Sequence, residues 1–249
     1  MDLSLNKPAG VLIKTTCVDY PGRVAGSFFL KGCNLRCPYC YNINLVEPTS
    51  ESDGELSTVQ DLFNHLEKRQ GILSGLVISG GEPLLNPYTP LIIKKAKELG
   101  YKVKLDTNGT LPEELKSFIY SPDLRPDFLA IDIKTTPVKY AQLICSKQSK
   151  FYGNTEYFES IISESCKLTE SFSTENFEFR TVLVPSLVSL KEIKTIAKFI
   201  PENASWQFAQ FQNKNCLNPE YNGIEPYMDH EIDQIIAEAK KYVPNSKLR

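Results

Sequence analysis

Along this chain short β-rich runs alternate with amphipathic stretches of helical period. No other feature constrains the fold as much, because neighbouring parallel strands need crossover connections and helices supply them. The runs lie at 24–30 (VAGSFFL), 75–79 (GLVIS), 101–106 (YKVKLD), 127–133 (DFLAIDI), 178–184 (EFRTVLV) and 205–211 (SWQFAQF). Mostly Val, Ile, Leu and Phe, they read as strands buried on both faces. A closed α/β barrel has eight strands in about 250 residues. The 249 residues here supply that length but only six strands, so the expected class is α/β, a partial (βα)6 TIM-like barrel.

The intervening helices are punctuated. Val59, Leu62, Phe63 and Leu66 repeat at i, i+3, i+4, i+7, and Ser57 with Gln60 predicts a capping box at their start. After the second run, Asn86 is expected to cap a helix with Pro87 at its first position. Leu91, Ile92 and Leu99 supply its apolar positions and Gly100 its end. Ser189 and Glu192 repeat the capping box before Ile193, Ile196 and Ala197, and a last helix presents Ile232, Ile235, Ile236 and Ala239. No linker or composition shift divides the chain, so residues 1–249 are expected to form one domain. The segment 134–156 has no clear pattern.

Composition narrows the function. Charged residues are 23% of the chain and the net charge is −2 with a pI near 5.9, so no basic excess points to nucleic acid or an anionic membrane. No apolar stretch is long enough for a spanning helix. Seven cysteines cannot all pair, and the N-terminus shows no apolar signal region, so a reducing cytoplasm is the expected location.

Three of those cysteines, Cys33, Cys37 and Cys40, crowd into CNLRCPYC. At this cysteine frequency the spacing arises by chance in roughly 0.5% of such chains. The segment follows the first run, on a loop at the strand end where parallel sheets place their chemistry. Zinc structural sites want four ligands, but Cys17, Cys145, Cys166 and Cys216 stand isolated, and His65 and His230 fall in or beside helices. Three thiolates can instead hold a four-iron cluster with one iron left open, which implies chemistry rather than scaffolding. The residues favour this reading over a structural zinc module or buried thiols and leave all three open.

The spacing CxxxCxxC, with Tyr39 just before the last cysteine, resembles the signature of radical S-adenosylmethionine (SAM) enzymes. Gly80-Gly81-Glu82-Pro83 resembles that superfamily's GGE motif. Within it the chain is similar to glycyl-radical-enzyme activating proteins, especially activators of anaerobic ribonucleoside-triphosphate reductase. The carriers are Asp19-Tyr20-Pro21-Gly22-Arg23, Asp106-Thr107-Asn108-Gly109, Asp132-Ile133-Lys134, Arg180-Thr181-Val182-Leu183-Val184-Pro185 and the stretch NCLNPEYN, Asn215 to Asn222. Two departures stand out: Tyr41 and Asn42 follow the third cysteine, where the family commonly has His, and Gln210 and Gln212 stand where relatives often carry a histidine.

The resemblance implies a barrel of the radical SAM type, with a cluster-binding loop at 31–42 and a C-terminal tail from about 212 to 249. It implies that Cys33, Cys37 and Cys40 ligate a [4Fe–4S] cluster whose open iron is chelated by SAM. Tyr39 would then pack beside adenine, Gly80, Gly81 and Glu82 would receive the SAM ammonium, and Asn108, Lys134 and Arg180 would make further SAM contacts. Asp106, Thr107 and Asp132 match positions that bind a monovalent cation near SAM. The implied activity is reductive SAM cleavage, with electrons from flavodoxin or ferredoxin, to generate a glycyl radical on a partner enzyme. Anaerobic ribonucleoside-triphosphate reductase is the expected partner, with pyruvate formate-lyase, another lyase, a small molecule or a peptide as alternatives.

Overall fold

The computed structural model describes residues 4–46 and 56–249. The chain falls into two compact units. The first comprises residues up to Asn34 together with Asn42–Thr107 and Glu113–Leu129; the second comprises Leu35–Tyr41, Asn108–Pro112 and Ala130–Arg249.

In the first unit, strands β1 (Pro8–Thr16), β2 (Ala25–Leu30), β3 (Ser57–Thr58), β4 (Gly75–Gly80) and β5 (Lys102–Thr107) lie in the order β3-β1-β2-β4-β5. β2, β4 and β5 are parallel, while β1 runs antiparallel to both of its neighbours. The helices are α1 (Ile43–Val46), α2 (Val59–Lys68), α3 (Thr89–Glu98) and α4 (Pro112–Ile119), the last beginning in the second unit. Phe28, Leu30, Leu62, Leu76, Ile78 and Leu105 are fully buried, as parallel strands covered by helices require. The Asp19–Arg23 segment is the turn from β1 to β2. Gly22 takes a positive φ of 71°, the Arg23 N–H donates to the Tyr20 carbonyl, and Asp19 accepts a 2.7 Å bond from the Ser27 hydroxyl.

The boundary between units passes through β6 (Phe128–Asp132). Beyond it come α5 (Pro137–Lys139), a π turn at Tyr140–Ile144, α6 (Thr155–Lys167), β7 (Phe177–Leu183), α7 (Leu190–Ala197), β8 (Ser205–Gln210), α8 (Asp229–Lys240) and β9 (Ser246–Leu248). The strand order is β6-β7-β8-β9, with β7, β8 and β9 parallel. Its core is aromatic, built on Tyr140, Phe179, Trp206 and Phe208.

All six expected strands are present as β2, β4, β5, β6, β7 and β8, and the mixed α/β class holds. Three further strands were not legible. β3 and β9 are only two and three residues long, and β1 alternates weakly because it lies next to the short β3.

Two expected caps move. The box that starts α2 is Thr58 with Asp61, not Ser57 with Gln60. Thr58 is extended and its hydroxyl accepts from the Asp61 N–H at 3.0 Å, while Asp61 accepts from the Thr58 N–H at 2.9 Å. Ser57 instead pairs with Gly10 in β3, and Gln60 bonds Asn64. Asn86 closes a 3-10 turn at Pro83–Leu85 and accepts from the Tyr88 N–H, so α3 starts at Thr89 with Pro90, rather than Pro87, in its first turn. The buried face of α3 is Ile92, Ile93 and Ala96, which turns Leu91 outward. The Ser189–Glu192 box forms as expected, and α8 buries Ile232, Ile235 and Ala239 with Ile236 at the margin.

Candidate active site

In the first unit the chemistry gathers at the C-terminal ends of β2, β4 and β5. The loop carrying Cys33 leaves β2 through Gly32, whose φ of 98° favours glycine. Gly32 donates to the Leu45 carbonyl and accepts from the Glu82 N–H, both at 2.7 Å, and the Gly81 N–H donates to the Leu30 carbonyl at 2.8 Å. A Cβ on Gly80 would collide with the Leu30 backbone, and one on Gly81 with the Gly32 carbonyl. The glycines of this motif therefore let β4 lie against the root of the cysteine loop. That demand is separate from any approach by a cofactor.

Glu82 is fully buried. Its Oε1 accepts from the Leu84 N–H at 3.1 Å and from the Thr107 hydroxyl at 2.9 Å. On the neighbouring strand, β5, Asp106 pairs with Lys104 at 2.8 Å. Lys104 has no exposed surface, and its ammonium lies 5.6 Å from the centre of the Phe128 ring. The sequence reading missed this lysine, although a Lys two residues before an Asp on an otherwise apolar strand puts both on one face.

In the second unit, Asp132 ends β6 and holds two cations. Its Oδ1 takes the Arg180 Nε at 2.6 Å and its Oδ2 takes the Lys134 Nζ at 2.9 Å. Arg180 lies mid-strand in β7 and pairs with this carboxylate. Burial alone would raise the pKa of Asp132, but the guanidinium and ammonium outweigh it and hold the carboxyl well below its usual range. Burial likewise works against the charge on Lys134, yet Asp132 and Cys37 keep its pKa above the ordinary lysine value. Asn108 turns inward, with its Oδ1 accepting from the Thr110 N–H and hydroxyl.

The loop segment with Cys37 and Cys40 is pinned from two sides. On one, the Arg36 N–H donates to the Ile144 carbonyl and Leu35 bridges to Cys145. On the other, the Leu217 N–H donates to the Cys40 carbonyl at 2.8 Å and the Asn218 N–H to the Pro38 carbonyl at 2.9 Å. Asn222 accepts from the Cys216 N–H at 2.9 Å, which closes the 216–222 stretch on itself. The unpatterned segment 134–156 and the NCLNPEYN stretch thus share one task, bracing the cysteine loop.

Tyr39, between the last two cysteines, is 5% exposed and sits edge-on to Phe211. Its hydroxyl is buried with no hydrogen-bond partner among the described residues. Burial, with Cys37 and Asp132 adding to it, pushes its phenol well above the ordinary range, so at neutral pH it is a donor. Buried donors are rarely left alone.

Cys33, Cys37 and Cys40 are half-buried and outside any disulfide, whereas Cys145, Cys166 and Cys216 are buried and Cys17 is exposed. Among the described residues no group of three or more His, Cys, Asp or Glu side chains could hold a metal ion. The four-donor arrangement of a structural zinc site is therefore not found among them. Among the described residues no helix is long and apolar enough to cross a membrane.

Residues 27–161, more than half the chain, match the family model described as the radical SAM superfamily. The chain belongs to the radical SAM superfamily. It is thereby an enzyme whose family implies a [4Fe–4S] cluster and SAM. A Methanocaldococcus jannaschii protein named for glycyl-radical enzyme activation is 30% identical over 239 residues, 96% of this chain and 94% of that one. The pyruvate formate-lyase-activating enzyme of Clostridium pasteurianum is 28% identical over 218 residues, 84% of this chain and 77% of its own. Among solved structures, TYW1 with a lysine-pyruvate adduct bound superposes with a TM-score of 0.59 at 14% identity, covering 88% of this chain and 74% of that one. That likeness is one of fold.

In donor type the residues present fit these cofactors. Three thiols on one loop, outside any disulfide, are the donor type a site-differentiated cluster takes, and Tyr39, between two of them in sequence, has a buried hydroxyl with no hydrogen-bond partner among the described residues.

Proposed function

We propose that this radical SAM enzyme activates a glycyl-radical enzyme, with anaerobic ribonucleoside-triphosphate reductase as the partner. The observation that carries the activase reading is similarity over 96% of this chain to a protein named for glycyl-radical enzyme activation. The choice of the reductase rather than a lyase rests on the resemblance of the NCLNPEYN stretch, Asn215 to Asn222, to the reductase-activator subgroup. In this reading the two units work as one radical SAM domain, and flavodoxin or ferredoxin supplies the electron.

Cys33, Cys37 and Cys40 would hold the cluster. A reduced [4Fe–4S] cluster with SAM bound supplies one-electron cleavage of SAM and, through it, removal of a hydrogen atom from a substrate carbon. This chain's own residues bind and orient. Lys134 is half-buried beside Asp132 and offers a fixed cation to a carboxylate, and Tyr39 offers its hydroxyl and an apolar ring face to adenine. Gly80, Gly81 and Glu82 shape the floor under the loop root, where the Glu82 carboxylate already accepts two bonds. Asn108 and Arg180 act one step back. Arg180 fixes Asp132, which fixes Lys134.

The test is anaerobic. Reconstituted protein, a reductant, SAM and each candidate partner are mixed and followed by EPR. A glycyl radical on the reductase is expected. A radical on a lyase alone would replace the partner, and SAM turnover without any protein radical would move the substrate to a small molecule or peptide.

A further inference from the structure

We infer that this protein works without the monovalent cation that its resemblance implies, because the ammonium of Lys104 neutralises Asp106 from within the fold. The inference rests on the reading that Asp106 belongs to the SAM site.

The carboxylate of Asp106 is nearly inaccessible and needs a compensating positive charge. Lys104 provides it at 2.8 Å from the same strand and the same face. The lysine is itself completely buried and its ammonium lies over the Phe128 ring, so the charge is held in place by packing. A metal ion at Asp106 would bring a second positive charge against the first.

Asp132, another of the expected cation ligands, points the same way. In the second unit both carboxylate oxygens of Asp132 already carry a cationic partner, Arg180 on one and Lys134 on the other.

The experiment uses the full chain with its cluster reconstituted, in sodium, potassium or choline chloride at equal ionic strength. SAM affinity is measured by equilibrium dialysis and sodium binding by the ²³Na line width. Linked sites typically change a ligand's affinity by about 5- to 150-fold; the wild-type affinity should differ by less than about twofold between salts, while Lys104→Met should lose affinity in choline within that range and regain it in sodium or potassium. Lys104→Gln, which removes the charge with less change in polarity, should behave as the Met variant does.

A wild-type affinity that collapses in choline overturns the inference. So does saturable ²³Na broadening by the wild type that Asp106→Asn removes, or a folded Lys104→Met protein whose SAM affinity ignores the salt. The sodium measurement needs no SAM. Absence of SAM binding in every salt would therefore sink the assignment of Asp106 to the SAM site while leaving the cation question answered.

Discussion

The ends of β5 and β6 carry the same device in different surroundings. Each places a lysine two residues from an aspartate, Lys104 before Asp106 and Lys134 after Asp132, at 2.8 and 2.9 Å. In the first unit the lysine has no exposed surface and the pair is sealed under an aromatic ring. In the second, Arg180 shares the aspartate and both partners of the lysine pair keep some contact with solvent. Identical spacing therefore serves two ends: a sealed pair fixes internal charge balance, whereas a forked, partly open one leaves a cation able to meet a ligand. Burial decides between them.

The largest expected effect concerns the loop next to the open pair. Cys37→Ala should abolish 5′-deoxyadenosine formation from SAM under dithionite, measured by chromatography after anaerobic reconstitution, and intact turnover would remove the cluster from this loop. Next comes the sealed pair. Lys104→Met strands a buried carboxylate and should cost about 3–5 kcal/mol in urea unfolding. Lys134→Met leaves Asp132 with Arg180 and should cost only about 1–2 kcal/mol while weakening SAM binding. Equal losses of stability would break the comparison.

A smaller effect lies in pH. The folded-state pKa of Asp132 is depressed, so its contribution is fully present above the unfolded carboxyl value near 4 and is lost only as pH falls through the folded value. Thermal melts should thus show no loss from this group between pH 5 and 8, and Asp132→Asn should flatten the acid limb. Tyr20 runs the other way. Burial, reinforced by Asp127, pushes its pKa to about 12, so its contribution is present below the unfolded value near 10 and is lost as pH rises towards 12. Melts from pH 9 to 12 should fall more steeply for the wild type than for Tyr20→Phe. The smallest effect tests the brace: Asn222→Ala removes the acceptor of the Cys216 N–H and should cost about 1 kcal/mol, with faster loss of cluster absorbance in air.

Local periodicity carries well here because it reports on a single element. Six strands and the Ser189–Glu192 box were legible from apolar runs and cap chemistry alone, while β1, though the longest, was not. The Ser57 cap moved by one residue because pairing with Gly10 takes Ser57 into β3, and the Asn86 cap was lost because a 3-10 turn at Pro83–Leu85 ends on Asn86 and α3 starts only at Thr89. Among the candidate site residues, Cys33, Cys37 and Cys40 stand out by their spacing, and Lys134 and Asp132 by their motif. The partner of Asp132 does not, because Arg180 is 48 positions away. Lys104 was passed over as an ordinary strand residue because the sequence does not show which face is sealed.

The sequence by itself determined the βα alternation, the class of the enzyme and the residues that carry its cysteine motif, because these depend on neighbours along the chain. Only the tertiary structure decided which charges are buried, which carboxylate is already neutralised and what holds the cysteine loop. Those depend on solvent exclusion and on hydrogen bonds between segments as far apart as Cys40 and Leu217.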